Sequence, residues 1–302
     1  MLRDSSVALI LVALAGSAFT ASAADLGGDE PKQLVAPAPA FSGWSFKFTT
    51  YGWLPWVSGD VAVKSRTLDV SVAPNEILEH LDWSTLPSWM SYAEARNGRM
   101  SLFNDIVYSK VTGSRDFARS SSRRIINASL GGNVEVDYEQ AIVELGGAYE
   151  VWSGGMLGVP GSSAIDFLAG GRYWHQETDV SADFATTVDL AGLTISGGRA
   201  VAKSGSVDWV DPFLGARLRH QFAPGQELVV RGDIGGFGAG SELTWQVLAT
   251  LNWQMCILNG IAIDAYVGYR ALSVDYSQGS GSTRYEFNVL QQGPVIGFTS
   301  KF

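Results

Sequence analysis

LTWQVLATLNWQM, residues 243–255, decides the fold together with IAIDAYVGYR, residues 261–270, which follows it after Asn259-Gly260. In the first stretch Leu243, Trp245, Val247, Ala249, Leu251, Trp253 and Met255 alternate with Thr244, Gln246, Leu248, Thr250, Asn252 and Gln254. Successive side chains of a strand point to opposite faces, so one face is apolar and the other largely polar. The second stretch repeats the pattern, with Ile261, Ile263, Ala265, Val267 and Tyr269 set against Ala262, Asp264, Tyr266, Gly268 and Arg270. Asn-Gly is the two-residue signature of a tight hairpin turn. The two stretches therefore read as neighbouring antiparallel strands.

The same period extends towards the N-terminus. Leu228, Val230 and Ile234 alternate with Arg231 and Asp233; Val210, Leu214, Ala216 and Leu218 with Asp211, Arg217 and Arg219; Ala141, Val143, Leu145, Tyr149 and Val151 with Gln140, Glu144 and Glu150. A looser alternation covers 44–54, 85–97, 99–112 and 163–177. Long polar links at 55–84, 113–133 and 178–205 alternate with short ones at Asn97-Gly98, 153–162, 223–225 and Asn259-Gly260. Tight turns at one end and longer loops at the other are the layout of a membrane barrel. The expectation is an all-β antiparallel transmembrane barrel of about ten strands (eight to twelve), with short periplasmic turns and longer external loops. Residues 56–72 could add a hairpin beyond the membrane, and Gln291-Gln292-Gly293-Pro294 is expected to hold a bulge.

A soluble barrel also alternates, and a soluble periplasmic lipid-binding barrel is the reading if the faces are inverted. Strand length favours the membrane, since spanning takes about 9–11 tilted residues and soluble strands stop near 5–6. Aromatics near segment ends (Trp44, Phe46, Tyr51, Trp53, Trp56, Trp245 and Trp253) suit interfacial girdles. The polar faces then point into the lumen. They bring Lys47, Arg96, Arg172, Arg217, Arg219, Arg231 and Arg270 opposite Glu94, Asp105, Glu144, Glu150, Asp166, Asp211, Asp233 and Asp264. Buried charges must be paired, so these are expected to form ladders that obstruct a wide channel.

The 302 residues carry a net charge of −9 and 35 glycines, a glycine share well above the usual ~7%. The acidic balance excludes nucleic acid as an expected partner, because phosphate binding needs a basic surface. Arg3, the apolar run Val7–Phe19 and the small-residue site Ala21-Ser22-Ala23 read as a secretory signal over 1–23. Residues 24–42, rich in Pro and Ala, read as a linker, and 43–302 as the barrel. The single Cys256 closes no internal disulfide and is expected to be a small buried residue on a strand.

The chain ends GFTSKF, with Ile296, Phe298 and Phe302 at alternate positions. An aromatic final residue in this spacing resembles the assembly signal of small monomeric Gram-negative outer-membrane β-barrels, and Ala24-Asp25-Leu26 after the signal resembles the alphaproteobacterial type. That resemblance implies an outer-membrane location. It also implies contact with outer-membrane lipid and lipopolysaccharide, recognition of Phe298 and Phe302 by the barrel-assembly machinery, and a monomer.

Chemistry is sparse. A hydrolytic site needs a His beside a carboxylate and a nucleophile. His175, near Glu177, Asp179 and Asp183, is the best candidate; His80 sits in a short helix expected over Pro74–Leu81, and His220 near the turn at 223–225. No HExxH or CxxC spacing occurs, so neither metal nor cofactor is expected. Gly170-Gly171, Gly197-Gly198 and Gly235-Gly236-Phe237-Gly238 precede no helix and read as strand glycines. The run Ser120–Arg124 reads as a solvated loop, with lipopolysaccharide phosphate as the less favoured partner. No catalytic residues are assigned. The expected role is structural or surface-interacting, or that of a narrow pore for small solutes, with an outer-membrane hydrolase using His175 as the alternative.

Overall fold

A computed structural model describes residues 43–302 except 64–65, 80–87, 124–125, 157–158, 191–192 and 281–283; side chains of 63–69, 113–136 and 178–204 also lie outside the described set. The expected signal and linker, residues 1–42, fall outside the described residues, as does His80. The elements are β1 (Trp44–Trp53), β2 (Trp56–Val63), β3 (Arg66–Val72), α1 (Pro74–Glu79), β4 (Ser88–Asn97), β5 (Met100–Arg123), β6 (Ile126–Gly154), β7 (Ser162–Leu190), β8 (Leu193–Ala223), β9 (Gln226–Gly236), β10 (Leu243–Leu258), β11 (Ile261–Gln278) and β12 (Tyr285–Lys301). β1, β4 and β5 to β12 pair in that order, and β1 pairs with β12 to close a ten-stranded antiparallel barrel. β2 and β3 are an additional hairpin attached to β12. Both the expected strand number and the extra hairpin over 56–72 are present.

Alternation decides which way each side chain points. Leu145, Leu214, Ile234, Val247, Val267, Ile296 and Phe298 stand exposed on the outside, while Glu144, Arg172, Asp233, Gln246, Arg270 and Thr299 are buried inside. A closed wall that is apolar outside and charged inside is stable only where hydrocarbon surrounds it. This is an outer-membrane barrel. Trp44, Phe46, Trp56 and Trp253 face outward as a girdle requires, but Tyr51 and Trp53 do not. They share the parity of Lys47 and enter the lumen, where Tyr51 binds Asp105 and Trp53 is 3% exposed.

Three expectations are corrected. The links at 113–133 and 178–205 are strand, not loop: β5, β6, β7 and β8 run 24, 29, 29 and 31 residues and stay in register up to Leu190↔Leu193. Crossing the membrane takes about 9–11 of these residues, so the remainder forms a raised four-stranded wall. Residues 291–294 hold no bulge; β12 keeps its register against β11 throughout, and its partner is interrupted at Leu54-Pro55 instead. Proline lacks the N–H a ladder needs, so Pro55 opens the gap between β1 and β2. Register shifts occur at Glu150/Trp152, Gln221/Ala223 and Gln254/Cys256. Cys256 is exposed, because β10 runs past the end of β9 there.

Beyond the membrane the barrel becomes two facing sheets, β5–β8 on one side and β3-β2-β12-β11 on the other. Trp209 of the first stacks on Tyr276 of the second at 4.0 Å and tilts against Phe287 at 6.5 Å. The Tyr285 hydroxyl donates to Gln176 at 2.6 Å across the same gap.

Candidate functional site

The lumen is the chemically dense part of the molecule, and its side chains sort into layers. At the end carrying the tight turns, Lys47 lies 3.3 Å from Glu227, and Lys301 lies 3.8 Å from Glu227 and 2.6 Å from Asp264. The next layer gathers arginines on Asp166. Arg219 Nε donates to it at 2.9 Å, Arg217 Nε at 2.9 Å and Arg96 at 3.0 Å, while Arg219 also reaches Glu150 at 2.8 Å. Arg217 continues to Glu94 through both terminal nitrogens, at 2.7 and 2.9 Å.

Glu144 is the centre of the third layer. It accepts from Arg172 at 2.9 Å, Arg231 at 2.7 Å, Arg270 at 3.3 Å and Gln246 at 3.3 Å. Arg172 and Arg231 also hold Asp233, at 2.7 and 2.9 Å, and Arg270 holds Asp105 at 2.9 Å. Guanidinium faces cover rings as well: Arg231 lies over Phe103 and Phe213, Arg172 over Phe213, and Arg270 over Trp53. Gly170 leaves room for this packing, since a Cβ there would stand 2.7 Å from the Phe213 ring.

Fourteen of the expected lumen residues are thus joined by ion pairs: Lys47, Glu94, Arg96, Asp105, Glu144, Glu150, Asp166, Arg172, Arg217, Arg219, Arg231, Asp233, Asp264 and Arg270. Asp211 points inward but has no ion pair among the described residues; it accepts from the Ser241 backbone N–H at 2.7 Å and the Trp209 indole at 3.2 Å, and so fastens the β9–β10 turn. Sequence reasoning overlooked Glu227 and Lys301, and the hydroxyls of Tyr51 and Tyr92 that serve Asp105 and Glu94. Strand parity identifies Glu227, Tyr51 and Tyr92, each an even number of positions from an assigned charge on its own strand, and Lys301 by its odd spacing from the outward Phe298.

Above the charges the lumen is closed by an apolar cluster that includes Trp53, Ile142, Trp174, Trp209, Leu272, Val274, Phe287 and Val289. Trp174 and Trp209 stack at 5.4 Å and 10°. Charge below and aromatic packing above fill the bore.

The histidines are elsewhere. His175 faces outward above the belt, its Nδ1 2.7 Å from Asp208 and its Nε2 3.8 Å from Glu177. Tyr173 donates to the same Asp208 oxygen at 2.6 Å. That hydroxyl first, and the imidazole second, hold the Asp208 carboxyl below the usual carboxylate range. Among the described residues no Ser or Cys bonds to His175, so it has a carboxylate but no nucleophile. The Ser–His contact is at His220, whose Nδ1 lies 2.8 Å from Ser163 Oγ while its ring stacks on Phe222. No carboxylate orients that ring among the described residues, and the pair bridges neighbouring strands at a directly opposed position. Neither arrangement completes a relay of nucleophile, base and orienting acid. No group of metal-binding side chains occurs among the described residues.

No family model matches the chain, and no curated protein matches it. Among solved structures it is similar to Ail, the attachment invasion locus protein of Yersinia pestis, at 9% identity and a TM-score of 0.28, with 87% of this chain and 100% of that one covered. It is also similar to a FadL homologue of Pseudomonas aeruginosa (5%, 0.25, 86% and 89% covered) and to OmpT, an outer membrane protein of Vibrio cholerae (8%, 0.22, 88% and 100% covered). At these scores the likeness carries no argument, and the barrel assignment stands on the pairing and the inside-outside pattern described above.

Proposed function

We propose that the protein is a non-enzymatic, non-conducting outer-membrane barrel that holds a raised strand wall at the cell surface for interaction with a partner there. The observation that carries this reading is the filled bore. Glu144 and Arg172, both fully buried, cross-link the lumen at mid-height, and the Trp174–Trp209 stack closes it above. A current of hydrated ions would have to break several buried ion pairs at once, and each partner lost costs about 3–5 kcal/mol. The wall supports the surface role, because β5 to β8 extend far beyond the length a membrane requires. On this reading outer-membrane lipid surrounds the belt, lipopolysaccharide meets the base of the wall, the assembly machinery reads Phe298 and Phe302, and the barrel works as a monomer.

Planar-bilayer recording of the refolded protein tests it. No steady conductance is expected, whereas discrete channel steps would replace this reading with that of a narrow pore. The hydrolase alternative, which uses His175, has its own check: a fluorophosphonate probe should label no serine of the folded barrel, and His175→Ala should change no hydrolytic rate.

A further inference from the structure

The lumen holds a recess at the end that carries the tight turns, with about 70 Å³ of room for the centres of water-sized spheres. Its lining is electrically lopsided. Lys47, Lys301, Arg217, Arg219, Arg231 and Arg270 line it, against only Glu94, Asp105 and Glu227. The carboxylates that balance those cations elsewhere (Glu144, Asp166, Asp233 and Asp264) stand behind them, outside the lining. The surface that an entering solute meets is therefore richer in cationic than in anionic side chains.

Lys47 and Lys301 stand side by side on paired strands near the mouth, each with its side chain 31% exposed; both approach Glu227, and Lys301 also pairs with Asp264 behind the lining at 2.6 Å. An ammonium has three donors, so both retain capacity for another acceptor. The opposite character comes from Val229, Leu248, Val295 and the Tyr266 ring, which give the recess an apolar wall. Convergent polar groups beside an apolar wall are a recurrent form of a small-molecule site.

We propose that this recess binds a small carboxylate with an apolar body of about the size of a benzene ring, entering from the periplasmic end, its carboxylate between Lys47 and Lys301 and its body against Leu248 and Val295. The Arg270–Asp105–Glu144 layer closes the floor, so the site is blind and the solute leaves as it came. The inference is independent of the surface role assigned to the wall.

Titration calorimetry of the full barrel in zwitterionic detergent, with benzoate as probe and a micelle-only blank, tests it. Benzoate should bind saturably at 1:1, benzamide at least about tenfold more weakly for want of the charge, and inorganic phosphate more weakly for want of the body. The double variant K47Q/K301Q should lose about tenfold in benzoate affinity. Leu248→Trp, which fills the recess from its apolar wall, should abolish binding. Both variants are scored only where the unboiled gel band still migrates as a folded barrel; if neither folds, the benzoate–benzamide comparison on the unaltered protein decides alone. Absence of saturable benzoate binding, equal binding of benzamide, or unchanged affinity in the folded variants would each overturn the proposal.

Discussion

Glu144 takes bonds from side chains on β7, β9, β10 and β11, so one carboxylate on β6 joins half the circumference of the barrel. Glu144→Gln keeps the shape and removes the charge, leaving Arg172, Arg231 and Arg270 to share Asp233 and Asp105. The expected cost is about 3–5 kcal/mol, read as a lower temperature for loss of the fast-migrating unboiled band. Arg172→Met should act in the same direction, because it removes one of the two guanidiniums that bridge Glu144 and Asp233 and leaves Arg231 alone between them. At this scale the sequence was most legible, since period two alone assigned to the lumen fourteen charges that stand there in ion-paired layers. It misled where residue type was weighed above parity. Tyr51 and Trp53 look like girdle aromatics, yet they sit four and six positions after the inward Lys47 and must face the same way. Trp174, Trp209, Leu272 and Val274 are inward by the same count from Arg172, Asp211 and Arg270. Their apolar character hid the fact that the outer half of the lumen is a hydrophobic core.

Among the elements, the seam between β12 and the interrupted β1–β2 edge makes a sharp demand. A Cβ on Gly293 would stand 2.1 Å from the Leu54 carbonyl oxygen, whereas one on Gly52 meets nothing within 4 Å. Gly293→Ala should therefore destabilise by about 1–3 kcal/mol, as overpacking does, and Gly52→Ala should leave the melting temperature within experimental error. Strand boundaries were the less legible part of the elements. Residues 113–136 and 178–204 are rich in Gly, Ser and Thr and read as loop by composition, although Ile126, Ala128, Leu130, Val134 and Val136, and Val180, Ala182, Phe184, Val188 and Leu190, keep the two-residue period. Backbone pairing runs through both stretches, as that period requires of strands; composition was weighed above periodicity there. Replacing 113–136 and 178–204 by short turns should leave the unboiled band shift intact, which would show that the barrel folds without the wall. Loss of the shift would mean that the wall is needed to close it.

For the whole molecule, the two ends differ in kind. The tight-turn end opens into a cationic recess, and the outer end is clamped shut by rings from two opposed sheets. Fold class, location and the tenancy of the lumen could be argued from alternation because the bilayer imposes one rule on every strand. What the wall meets could not, because no comparable rule acts on strands in water. The closed network also bears on how the barrel comes into being. Before β1 meets β12, Lys47 and Lys301 stand on separate edges of an open sheet, and Arg270 has yet to reach Tyr51 across the seam. A strand displaced by one residue would turn its arginines and carboxylates towards the acyl chains, an error of several kcal/mol for each charge. The ion network thus penalises every misaligned register during insertion, and the native one gains its last partners when β1 meets β12.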